Sequence, residues 1–111
     1  MKKKPTAKPR IRFPKPLTLA QFQKRAGNDR TNEPITIDYT AVRLAEEAGE
    51  VLGVAKRHMR KIYTGNAHMT KRDTARLQDE MGDVLHALSK LADAAGLDLE
   101  EIARQSLDKQ K

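Results

Sequence analysis

The sequence predicts an all-α fold: two long and two short helices forming a four-helix-type bundle, completed by homo-oligomerisation. Three observations carry this. Apolar residues recur at spacings of three and four over residues 36–63 and again over 73–95, as one face of a helix requires. Helix-start and helix-stop residues bracket these stretches and two shorter ones. The two long apolar stripes exceed what two short helices can shield, so a second copy of the chain is the simplest cover, as a homodimer or a dimer of dimers.

Taken in order, Thr18 with Gln21 reads as a capping box opening a short helix that runs to about Ala26, where Gly27-Asn28 stops it. Residues 28–35 form a polar connection containing Pro34. The first long helix spans about Thr36 to Tyr63, with Ala41, Leu44, Ala48, Val51, Leu52 and Met59 among its inward residues. Thr64-Gly65-Asn66 is turn chemistry, and residues 64–72 read as a polar loop. The second long helix runs from about Asp73 to Ala95, with Leu77, Met81, Val84, Leu85 and Leu88 facing inward, and Gly96 stops it. Asp98 with Glu101 reads as a capping box for a last helix whose Leu99, Ile102, Ala103 and Leu107 face inward.

The chain of 111 residues holds one domain and, as a monomer, a thin core. It has no cysteine, which removes disulfides, thiolate metal sites and cysteine nucleophiles. No apolar run has the length of a membrane span or of a signal peptide's core, so a soluble cytoplasmic protein is expected. The formal charge is +7, but it is unevenly placed. Residues 1–35 hold ten Lys and Arg against Asp29 and Glu33, whereas residues 36–111 hold 12 bases and 13 acids. Residues 1–16 read as a flexible, basic Lys/Pro-rich arm, and 17–111 as the helical domain. The arm suits either an electrostatic tether to nucleic acid or a solubilising extension. The domain averages to near neutrality, so the global charge predicts no basic face on it.

Acids inside the apolar pattern are the unusual feature. Glu47 and Glu50 stand three apart on the first long helix, and Glu80 and Asp83 repeat that spacing on the second. Residues three apart share a helix face. Packed antiparallel, the two helices can bring both pairs together near the middle of the bundle. Converging carboxylates repel and persist around a cation. Hard oxygen donors point to Mg²⁺, with Mn²⁺ as a substitute, rather than Zn²⁺. Each pair encloses a glycine, Gly49 or Gly82, suggesting close approach of another segment. The competing reading makes the acids surface residues paired with Arg43, Lys56, Arg57 or Lys90.

The run Glu46-Glu47-Ala48-Gly49-Glu50 followed by Glu80-Met81-Gly82-Asp83 resembles the EExxE and ExxD signature of the MazG-like nucleoside triphosphate pyrophosphohydrolases, an all-α family. Leu44 to Leu52, Asp79 through Leu85, Leu97 through Ala103 and the early Leu17 to Gln23 look like the same family, so the resemblance covers roughly 17–109. It implies Mg²⁺-dependent hydrolysis of an NTP or dNTP to the monophosphate and pyrophosphate, as in clearance of the nucleotide pool. Glu47, Glu50, Glu80 and Asp83 would be the metal ligands and catalytic acids, and Glu46 a water-orienting residue. Lys56, Arg57, Arg60 and Lys109 would meet phosphate, and His86 a base or sugar.

Two positions depart from the family pattern. His86 stands where a tryptophan is common, and Ser106 where asparagine is common, which puts the base preference in question. Two other function classes remain open at the level of sequence. One is a catalytically weak, nucleotide-binding regulator; the other is a nucleic-acid-binding module acting through residues 1–16. No Gly-rich phosphate loop, Ser/His/Asp arrangement or paired metal-spaced histidines occur, and His58, His68 and His86 are dispersed.

Overall fold

The computed structural model describes residues 16–28, 34–63, 65 and 69–110. Residues 1–15 of the basic arm, 29–33 of the 28–35 connection, and 64 and 66–68 of the 64–72 loop lie outside them. The described residues form four helices and no strand: α1 Leu19–Gly27, α2 Ile37–Tyr63, α3 Lys71–Ala95 and α4 Leu99–Lys109. None is long and apolar enough to cross a membrane.

Local chemistry sets the boundaries. The Thr18 hydroxyl accepts from the Gln21 N–H at 3.0 Å, and the Gln21 side chain accepts from the Thr18 N–H at 2.8 Å. The Thr36 hydroxyl accepts from the Tyr39 N–H at the head of α2. α3 begins at Lys71, two residues before the expected Asp73, because Thr70 and Asp73 themselves form a capping box. Gly96 ends α3 in the left-handed region at φ 69°, and the Leu97 N–H reaches back to the Ala92 carbonyl at 2.8 Å. At α4 the Asp98 carboxylate takes the Glu100 N–H, and Glu101 pairs with Arg104 instead of closing the expected box.

α2 and α3 pack along their length as an antiparallel pair, while α1 packs on α3 and α4. Gln23 ties this corner together. Its amide donates to Asp93 Oδ1 at 2.8 Å and to the Leu97 carbonyl at 2.9 Å, while its oxygen accepts from the Leu99 N–H at 2.8 Å. Gly27 permits the approach, since a Cβ there would stand 3.0 Å from Asp93 Oδ2. Phe22 of α1 meets the His86 ring edge-on, centroids 6.3 Å apart. The short helix thereby props a side chain of α3 (His86) that lies one turn from Asp83.

Among the described residues the buried apolar ones are few and mostly small: Ala26, Val54, Ala87, Ala92 and Leu99. Several residues expected inward are not. Leu52, Met59 and Met81 keep 57, 50 and 56 % of their surface exposed, and Leu107 keeps 70 %. Leu85 and Ile102 are likewise open, each at 36 %. The cause is geometric. The apolar arc of α2 is wider than one neighbouring helix can cover, and the seam with α3 is rotated toward Thr40, Glu47, Val51 and Val54. Half of each long stripe therefore faces away from the partner helix.

Candidate metal centre

The rotation of the seam places acids within it. Glu47 on α2 and Glu80 on α3 are half-buried between the helices, and Asp83 stands one turn on from Glu80 at the open edge. One carboxylate oxygen from each lies within 4.8 Å of the others. Glu50 is outside this trio and exposed, on the next turn of α2. Its charge still reaches the cluster. The Glu80 carboxyl is raised above the ordinary carboxylate value, first by desolvation and then by the negative charges of Glu50 and Asp83. A hydrogen bond with Asp83 adds to the rise. The group thus has a repulsion that a cation would relieve. Oxygens within 4.8 Å of each other need only a small closing shift to meet on one ion, since ligands around Mg²⁺ stand at most about 4.2 Å apart. The donor set is all hard oxygen, so the residues fit a divalent cation of the Mg²⁺ or Mn²⁺ type.

Glu46 points elsewhere. Arg43 donates to Glu46 Oε1 at 2.7 Å and lies 3.7 Å from Glu47 Oε2, so one guanidinium bridges both acids. Part of the competing surface-pair reading is therefore seen, through Arg43. Gly49 and Gly82 are exposed, and a Cβ at either would meet nothing within 4 Å. Among the described residues nothing makes the close approach expected for them, and Gly82 borders an open apolar groove between α2 and α3.

Beside the acids opens a pocket lined by Tyr39, Arg43 and Glu47 from α2 and by Asp83, His86 and Lys90 from α3. It joins an aromatic and basic wall to the carboxylates. Arg57 lies two turns beyond Glu50 on nearly the same face of α2, whereas Lys56 and Arg60 fall on its outer side. Lys109 is in the last turn of α4, which packs on α1, and it lines neither the acid cluster nor the pocket.

Residues 36–111 match the MazG nucleotide pyrophosphohydrolase domain. The chain belongs to the MazG family. No curated protein and no solved structure matches it. The match begins at α2 and takes in both acid-bearing helices, leaving α1 outside although Leu17 to Gln23 resembles the family as well. The match thus covers the residues that form the carboxylate cluster, and α1, which precedes it, contributes Phe22 against His86.

Three pocket residues have no site role in the reading from sequence: Tyr39, Arg43 and Lys90. Arg43 was seen only as a surface partner, and Lys90 likewise, yet both line the pocket beside the acids. Their signal was present: Arg43 is four residues before Glu47, and Lys90 seven after Asp83, which is one and two helical turns.

Proposed function

We propose that this MazG domain hydrolyses a nucleoside or deoxynucleoside triphosphate to the monophosphate and pyrophosphate with Mg²⁺, serving to clear the nucleotide pool. The observation that supports this most is the meeting of Glu47, Glu80 and Asp83 at one point of the α2–α3 seam, beside a pocket with Tyr39 and His86 on its walls. Glu47, Glu80 and Asp83 would hold the ion, and Glu50 would join them by a side-chain rotation on the adjacent turn. A cation bound there supplies Lewis-acid polarisation of phosphate oxygens and a more acidic water.

The chain's own residues divide the remaining work. Glu46 would orient water only by leaving Arg43, which now holds it, and turning toward the cluster. Tyr39 and His86 form the part of the pocket suited to a base or sugar, and Phe22 fixes the His86 ring from behind. Arg57 shares the face of the acids and would meet phosphate. Lys56 and Arg60 would have to reach around α2, and Lys109 would have to come from another copy. A homodimer that covers the exposed Leu52, Met81 and Leu85 completes the bundle in this reading.

The test is to incubate the protein and Mg²⁺ with each of the eight common NTPs and dNTPs and quantify pyrophosphate and monophosphate. Release that disappears with EDTA and in a Glu50→Gln/Glu80→Gln variant is the expected result. No turnover of any nucleotide by folded, metal-loaded protein would remove the generic activity.

A further inference from the structure

We propose that Arg57, Arg72 and Arg76 form an anion subsite for the pyrophosphate end of the substrate, so that the phosphate chain lies toward the α2–α3 turn and the nucleoside toward His86. This deepens the pyrophosphohydrolase reading and rests on it for the identity of the anion.

The first support is the distribution of charge within the domain. Averaged over residues 36–111 the charge is near zero, but residues 51–78 hold seven Lys and Arg against a single acid, Asp73. Those residues are the second half of α2 and the start of α3, which antiparallel packing gathers at one end of the hairpin. Folding therefore separates the charges: acids occupy the middle of the seam and bases its turn end.

The second support is helical phase. A helix advances about 1.5 Å and turns about 100° per residue. Arg57 follows Glu50 by seven residues, so it lies about 10 Å further along α2 on nearly the same line. Arg76 precedes Glu80 by four residues, about 6 Å along α3, and Arg72 stands one turn beyond it. The register that sets Glu47 against Glu80 and Asp83, and Arg43 in the same pocket as His86, brings Arg57 across from Arg72 and Arg76. Lys71, at the same end, falls on the outer side of α3.

The third support is availability. At the pocket end Arg43 is already held by Glu46 and Glu47. Arg57, Arg72 and Arg76 are exposed, and no carboxylate among the described residues pairs with them. Guanidinium groups bind phosphate through paired, charge-assisted hydrogen bonds. Three arginines without a carboxylate partner among the described residues, one to three turns from an acid cluster, suit the most highly charged part of a triphosphate.

Calorimetric titration of the full chain with inorganic pyrophosphate in Mg²⁺ tests this. An Arg57→Ala/Arg76→Ala variant should bind pyrophosphate about 10- to 100-fold more weakly, the loss of one or two charge-assisted contacts. Lysine at both positions should recover part of that affinity, and Lys71→Ala should stay within about twofold of wild type. Mn²⁺ affinity, titrated without pyrophosphate, should be unchanged in every variant. Unchanged pyrophosphate affinity in the double variant overturns the subsite, as does an equal loss with Lys71→Ala. Loss of binding to a single-stranded oligonucleotide with pyrophosphate binding intact also overturns it, in favour of a nucleic-acid surface. Nucleotide hydrolysis by the wild type separates the two failures. Arginine-dependent pyrophosphate binding without hydrolysis supports the subsite and removes the enzyme reading; hydrolysis without it does the reverse.

Discussion

The two sides of the α2–α3 seam are built from the same helices at the same heights, yet one carries acids and cations and the other only apolar groups. On one side are Glu47, Asp83, Arg43 and Lys90. On the other are Ala48, Val51, Met81, Val84, Leu85 and Leu88. Each acid is followed directly in sequence by an apolar residue: Glu47 by Ala48, Glu50 by Val51, Glu80 by Met81 and Asp83 by Val84. A rotation of about 100° per residue turns that alternation into two separate faces. The sides are not independent, because Glu80 is half-buried in the seam they share, and desolvation is the first cause of its raised pKa. The apolar side creates a low-dielectric wall, and the acid side has to be neutralised against it.

The largest effect expected breaks the acid side. Glu80→Gln or Asp83→Asn should lower kcat on the order of 10³-fold, the scale of losing one electrostatic stabiliser at a reacting centre. Circular dichroism should remain that of the folded helices, since neither substitution changes volume. Activity within tenfold of wild type in both variants would remove these acids from the chemistry.

Next in size is a break on the apolar side. Leu85→Glu places a charge where a second copy would bury it, at about 3 kcal/mol or roughly a hundredfold in Kd. Sedimentation should then show a lighter species at micromolar concentration. A wild-type chain that sediments as a monomer would instead mean that the exposed Leu52, Met59 and Met81 have no partner of their own kind.

How far these two sides were legible beforehand depended on what each required. Helix number and type followed from spacing, because a repeat of three and four residues admits only one regular structure. Helix starts followed where the capping residue was Thr18 with Gln21; Thr70 was passed over because its partner is Asp73, not Glu or Gln. The pairing of acids was readable as faces on each helix. Which acids meet was not, since a relative rotation of α2 and α3 decides that Glu47 joins Glu80 and Asp83 while Glu50 stands beside them. The same rotation buries Val54 and leaves Leu52 exposed. Charge averaged along the sequence hid the basic turn end, which exists only once the two halves of the hairpin are side by side.

A smaller effect sharpens the coupling between the sides. Without metal, Glu80 holds its proton more tightly in the folded chain than in the unfolded one, where its value is about 4.5. Between that value and the raised folded one, the native state carries more protons, so stability falls as pH rises through the window. Thermal melts in EDTA should show this decline relative to Glu80→Gln, in which it should be absent. With Mg²⁺ the sign should reverse, because binding favours the deprotonated carboxylates and stabilises the fold increasingly as they ionise. Identical pH profiles for wild type and variant in EDTA would mean that Glu80 is not under the strain ascribed to it.

The smallest effect probes the two glycines that stand between the paired acids. Gly49 and Gly82 cost helix stability, yet a Cβ at either meets nothing within 4 Å among the described residues. Gly49→Ala and Gly82→Ala should each therefore stabilise the protein by about 1 kcal/mol, through reduced freedom of the unfolded chain and better helix propensity. For a domain of this size that is a rise of about 4–8 °C in Tm. The two positions need not behave alike. Gly82 adjoins the apolar groove and Gly49 lies between Ala48 and Glu50. Stabilisation at both would mean that an assembly covers the groove without approaching either backbone. A loss at Gly82 with a gain at Gly49 would place a partner's backbone against α3, and would give Gly82 the close contact that one chain by itself does not supply.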